Sequence, residues 1–298
     1  MANSVKDAID SAYTKGKFCY SSFRKVSATA ASAGYWVDLS MATGNPVPNY
    51  YVGSALTATS PTDWYKKSIW HGGSVSPEKK YLHKMCFIGT GGAVAPAPFI
   101  LCDYLMYYPL IDMDSTDEQI FTNYGPTITD TTDPTAAMLP RYQDGDRVQA
   151  FIVATNPYTG GQSFQITYTN SAGVSGRTSK VSVTNISTNI GTLVNSSIAG
   201  THRYGAFIEL QSGDTGIRSV QSITFHASNG GLCALVLVKP ITSFMTISPG
   251  AWAEFDFIKH RPSLPRIYDG SFLGLLTMSS ATVAAIPVIG EITTIWGV

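Results

Sequence analysis

Residues 147–169 read RVQAFIVATNPYTGGQSFQITYT, and this stretch decides the fold. Val148, Ala150, Ile152 and Ala154 occupy every second position, and Phe164, Ile166 and Tyr168 then do the same against Gln165, Thr167 and Thr169. A period of two marks β-strands, whose successive side chains point to opposite faces. NPYTGG between the two runs supplies the proline and glycines that reverse a chain. The pattern continues outward: Lys180–Asn185 sets Val181 and Val183 against Ser182 and Thr184, and Gly205–Leu210, Val220–His226 and Leu232–Val238 complete the series. Turn signals NSAGVSG, QSGDTG and ASNGG stand between them. The run LCALVLV at 232–238 is apolar on both faces and is predicted to be a central strand. Short strands at this spacing predict an all-β chain of the β-sandwich or jelly-roll-like type.

On the N-terminal side, Tyr35–Leu39, Leu82–Gly89 and Phe99–Tyr108 read as strands, while MATGNPVPNYY (41–51) and ALTATSPTD (55–63) read as long ordered loops. A short N-terminal helix is predicted from Val5, Ala8, Ile9 and Ala12 at helical spacing, with Ser4 to cap it and Gly16 to end it. The organisation expected is an N-terminal helical arm (1–20), a β-rich region with long loops (21–138), the β-sandwich block (139–247) and a C-terminal β-rich segment (248–298). That last segment contains WAEFDFI and a stretch from Ser271 to Val298 whose single charge is Glu291. So little charge cannot face water on a loose end, so the stretch is expected to fold into the body or onto a neighbouring subunit.

Composition narrows the function. The 298 residues carry 20 Lys+Arg against 20 Asp+Glu, a net charge of zero. No surplus of cations is available to neutralise nucleic-acid phosphates or an anionic membrane surface, so neither partner is expected. Charged residues are 13% of the chain, against roughly 25% in ordinary soluble domains, and 16 Tyr are present. Few charges and many aromatics are what buried interface centres contain, so a homo-oligomer is expected. No apolar run reaches the roughly 18 residues of a membrane-spanning helix, and MANSVKDAIDSAYTKGK lacks the apolar core of a secretory signal. The expected place of synthesis is therefore a cytosol.

The search for chemistry returns nothing specific, and no catalytic, cofactor-binding or metal residue is assigned. His71, His83, His202, His226 and His260 have no metal-ligand spacing, with His226 read as a strand end. Cys19, Cys86, Cys102 and Cys233 form no CxxC; the last three lie in apolar runs and are expected as buried thiols. Asp112, Asp114, Asp117 and Glu118 alternate as calcium-loop ligands do, but the glycine and final acid of an EF-hand are missing, so a charged turn is expected. Asp144-Gly145-Asp146 is a turn before a strand, and GTGG (89–92) lacks the Lys-Ser/Thr of a phosphate loop. Asn185-Ile-Ser and Asn195-Ser-Ser match a glycosylation pattern that means little without secretion.

Four phrases, SFRKVSATAASAGYWVDLSMATGNPVPNYY, LCDYLMYYPLIDMDSTDEQ, LPRYQDGDRVQAF and RIYDGSFLGLL, together resemble a recurrent class of tailed-bacteriophage virion structural proteins. The resemblance implies a β-rich particle component without catalytic residues, located in the virion. Its expected partners are the major capsid protein or other virion proteins, as a capsid decoration or cement subunit, with a trimer the favoured assembly. Two alternatives stand beside it. One is a tail or fibre module binding carbohydrate through Trp36, Trp64, Trp70, Trp252 or Trp296. The other is an enzyme whose acid pair only the fold would assemble.

Overall fold

The computed structural model describes residue 7 and residues 10–27, 30–89, 97–122, 139–186, 189–195, 205–248, 250–260 and 263–297. After a helical turn at Asp10–Thr14, the strands are β1 (Phe18–Val26), β2 (Trp36–Asp38), β3 (Thr43–Asn45), β4 (Lys80–Gly89), β5 (Ala97–Asp112), β6 (Gln119–Ile120), β7 (Gln149–Ala154) and β8 (Ser163–Asn170). There follow β9 (Arg177–Thr178), β10 (Ser182–Val183), β11 (Ile217–Phe225), β12 (Leu232–Thr246), β13 (Ala253–Asp256), β14 (Arg266–Ile267), β15 (Leu273–Met278) and β16 (Pro287–Trp296). Two one-turn helices interrupt them, α1 (Trp64–Lys67) and α2 (Phe257–His260). Strand outweighs helix 47% to 5%, so the chain is all-β with a sandwich-like arrangement of curled antiparallel sheets.

Three sheets form, in the orders β13-β4-β16-β1-β3, β2-β15-β5-β12-β7 and β10-β8-β11-β6, with β14 added to β4 and β9 to β8. The middle one is built on β5 and β12, strands of 16 and 15 residues paired along their whole length. Its residues feed three cores. Phe99 and Leu101 of β5 and Leu273 and Leu275 of β15 pack against Phe23, Leu82, Phe87, Val288 and Ile292 of the first sheet. Leu105 and Tyr108 of β5 and Leu235 and Leu237 of β12 pack against Phe164, Ile166, Val220 and Phe225 of the third. Tyr104, Phe151, Val153, Ala234 and Val236 enter another core, closed by Met41, Tyr51, Leu193 and Ala206 from outside the strands.

The run 232–238 is thereby explained. Cys233, Leu235 and Leu237 enter one core while Ala234, Val236 and Val238 enter another, and β12 here lies between β5 and β7. Each such buried aliphatic side chain contributes about 1.5–3 kcal/mol. Beyond Val238 the situation changes. β7 pairs with β12 only from Cys233 to Val238, so among the described residues Lys239–Thr246 is bonded to β5 alone and forms an edge of the middle sheet. Pro240 sits on that edge, where a missing N–H breaks no ladder.

Several expectations need correction. Gly205–Leu210 is not a strand: Ile208 N donates to Ala150 O and Val194 N to Ile152 O, so two separate segments share the edge of β7 and neither makes a ladder. In Lys180–Asn185 only Ser182–Val183 is strand, and Val181 is exposed while Thr184 and Asn185 are buried. Polar groups go inside there because they have partners: Thr184 Oγ1 donates to Asn229 Oδ1 (3.0 Å) and Tyr158 OH to Asn185 Oδ1. Of the expected N-terminal helix, Ser4, Val5, Ala8 and Ile9 lie outside the described residues. The described turn at 10–14 closes with Lys15 N to Asp10 O and ends at Gly16, whose φ of 66° is left-handed. The weakly charged C-terminal stretch folds into the body, because β15 pairs with β5 and β2, and β16 lies between β4 and β1.

Candidate functional site

The residues singled out for chemistry are dispersed. Asp112, Asp114, Asp117 and Glu118 do not converge: Asp112 Oδ1 accepts Asp114 N (2.9 Å), Asp114 accepts Ser228 Oγ, and Glu118 Oε1 accepts Ser222 Oγ (2.5 Å). They belong to a hydrogen-bonded turn, as expected. Among the described residues no group of three His, Cys, Asp or Glu is placed to hold a metal ion. Asp144 Oδ1 accepts Asp146 N (3.1 Å), and a side chain at Gly145 would meet Ile217 O at 2.4 Å, which makes this a glycine turn against β11. His226 follows the last residue of β11 and bonds Ser163 Oγ at 2.8 Å. His83 lies 3.7 Å from Asp256, and His260 Nδ1 lies 2.8 Å from Asp256 O. His202, the residues 90–92 of GTGG and Ser196-Ser197 lie outside the described residues. Cys86, Cys102 and Cys233 are buried free thiols, and Cys19 is half-buried.

Four of the five tryptophans divide by surroundings. Trp36 is buried in the core beside Tyr104 and Phe151. Trp64 of α1 and Trp70 stack with centroids 5.5 Å apart and planes 3° from parallel, with His71 against Trp64 at 5.6 Å. Each ring thus occupies a face of its neighbour. Trp252 is different. It is 70% exposed, beside Ile247 at 83% and Met245 at 56%. These side chains rim a groove of about 490 Å3 whose walls include Phe87, Phe244 and Phe255. The groove opens at the end of the free edge Lys239–Thr246 and beside β13, itself the outermost strand of the first sheet. The sequence carried one readable sign of this surface: Ile247 and Trp252 flank Ser-Pro-Gly-Ala, where a turn ordinarily places polar residues.

Two buried carboxylates escaped sequence reasoning. Asp103, fully buried in β5, accepts Arg141 Nε (2.8 Å) and Nη2 (2.6 Å), Ser271 Oγ (2.8 Å) and Phe272 N (2.9 Å). Asp38, at the end of β2, accepts Ser40 N, Ser40 Oγ and Tyr104 OH, each at 2.8 Å, and Tyr51 OH. Burial raises the Asp38 carboxyl above its usual range, partly offset by these hydroxyls. Lys25 nearby donates to Ala42 O (2.9 Å), and burial lowers its ammonium to about 8. Every oxygen is matched, and these residues are sealed inside; their arrangement is that of structural ties between distant segments.

A polar cleft of about 400 Å3 opens beside Asp103, lined by Glu78, Lys80, Arg141, Arg266, Tyr268 and Asp269 among others. Its two acids are held as acceptors: Asp269 takes Ser74 Oγ (2.8 Å), Val75 N (3.2 Å) and Lys80 Nζ (3.3 Å), and Glu78 pairs with Lys17. Those donors hold the Asp269 carboxyl below the usual range although burial works against them. A proton-donating acid needs the reverse shift. Set beside known proteins, the chain matches no family model, no curated protein and no solved structure.

Proposed function

We propose that this chain is a non-enzymatic structural subunit of a tailed-phage particle, a capsid decoration or cement protein that associates with copies of itself and with capsid subunits. The observation that carries the reading is the open end of the middle sheet: a free strand edge, Lys239–Thr246, running into the exposed groove of Ile247, Trp252 and Met245. A free edge is a template for another strand, and contiguous exposed apolar surface marks a docking site. The occupant we assign is the same surface of a second copy, because it offers both projecting side chains and a groove to receive them. With a net charge of zero, copies do not repel one another. The phage assignment rests on the four sequence phrases, with the low charge as physical support.

The test uses particles of the parent phage from which this chain has been removed. Added back, the full chain is expected to bind the emptied heads and restore their resistance to heat or chelators. Heads that neither bind it nor change in resistance would overturn the proposal. A carbohydrate-binding module is the second reading, favoured by the Trp64–Trp70 stack, where Trp70 is 39% exposed. Binding on a glycan array, lost in Trp70→Ala, would establish it.

A further inference from the structure

Among the described residues, the cleft between residues 76–80, 140–141 and 266–270 contains one cation without an ion-pair partner. Its other charges come in matched pairs: Lys17 with Glu78, Lys80 with Asp269 at 3.3 Å, and Arg141 with Asp103 at 2.6 Å. Arg266 has no such partner among the described residues. Its backbone belongs to β14, paired with Tyr81 of β4, and its Cζ lies 4.7 Å from the Tyr268 ring centroid. The guanidinium Nε is buried and has no hydrogen-bond partner. Arginine stays protonated at any ordinary pH, so this is a fixed charge with an unbonded Nε donor, close to an aromatic ring at the wall of a cavity.

We infer that this cleft binds a small ligand carrying a single carboxylate, seated on Arg266. The planar fork of a guanidinium matches the two oxygens of a carboxylate. The surplus is one positive charge, since Lys80 and Arg141 are already neutralised, so a monoanion fits it. A phosphate dianion would face the carboxylates of Glu78 and Asp269 with no second free cation to offset them. The volume lies near the lower end of ligand sites, roughly 300–1,000 Å3, which holds a small molecule and not merely an ion. Tyr268, with Tyr142 edge-on at 5.3 Å, and the rings of Pro77 and Pro140 offer a body-contacting wall beside polar Ser76. An acidic monosaccharide has this combination of one carboxylate and a compact ring. The site is separate from the Trp252 surface, and its existence does not depend on assembly.

The experiment is ligand-observed NMR titration of the full chain with D-glucuronate, D-glucose and inorganic phosphate. Glucuronate is expected to saturate, with glucose and phosphate each weaker by about tenfold or more, the scale of one charge-assisted bidentate contact. Arg266→Gln should weaken glucuronate by a similar factor, while Arg24→Gln, an exposed cation on another face, leaves it unchanged. Should Arg266→Gln fail to fold, Arg266→Lys, which keeps the charge and loses the fork, should still weaken binding severalfold. Failure of glucuronate to bind, equal binding of glucose, tighter binding of phosphate, or indifference to both Arg266 variants would overturn the assignment.

Discussion

One pair of strands passes through two different environments. Along Leu232–Val238, β12 is flanked by β5 and β7, and its side chains enter cores on both faces. Along Lys239–Thr246 the same strand keeps β5 but loses its other neighbour, and it ends at an exposed groove. The boundary is marked by Asp103, which pairs in register with Lys239 and binds Arg141, Ser271 and Phe272. The first half spends its apolar surface inside the chain. The second leaves a strand edge and large apolar groups unspent, and these are what a partner would use. Stability should therefore respond to changes in the closed half, and association to changes in the open one.

Arg141→Ala should have the largest effect on stability. It leaves the Asp103 carboxylate buried without its cation, a loss of about 3–5 kcal/mol readable from the denaturant midpoint. Leu235→Ala, inside the closed half and fully buried, should cost about 2–5 kcal/mol. His71 gives a smaller, pH-dependent effect. It is buried, with Nε2 3.0 Å from Ser271 O and Nδ1 3.3 Å from Lys80 Nζ, and burial with the Lys80 charge lowers it to about 4. The unfolded chain takes up this proton near pH 6.5 and the folded chain only near 4, so stability falls as pH drops through that window. His71→Gln should flatten that fall in a series of midpoints. Smallest of all, Ile247→Ser and Trp252→Ser should shift the midpoint by no more than about 0.5 kcal/mol each, since both side chains are mostly in water. A large loss from either would place the open half inside the fold and break the contrast.

The closed half was legible because each strand there reports its own period. Val148, Ala150, Ile152 and Ala154 enter one core, as their alternation implies. The open half was not, because Lys239-Pro240 looks like a strand terminator; β12 continues to Thr246 with no strand neighbour on that side among the described residues, so the proline breaks no ladder there. β1 was hidden for another reason: its inward positions include Ser21 and Lys25 as well as Phe23, so no apolar alternation shows. The polar ties were beyond reach because their partners are remote. Asp103 is 38 residues from Arg141 and 168 from Ser271, and no local pattern records such a meeting. Arg266 looked like one more charge following two prolines until the fold showed its neighbours matched and left it without an ion-pair partner among the described residues.

The most direct test is the mass of the full chain by light scattering at micromolar concentration, with and without the paired change Ile247→Ser and Trp252→Ser. Association through the open half predicts a multiple of 32.0 kDa for the native chain, twice that mass for a pair joined through the same surface on both copies, and 32.0 kDa for the double variant. A native chain already at 32.0 kDa, or a double variant whose mass does not fall, would contradict it.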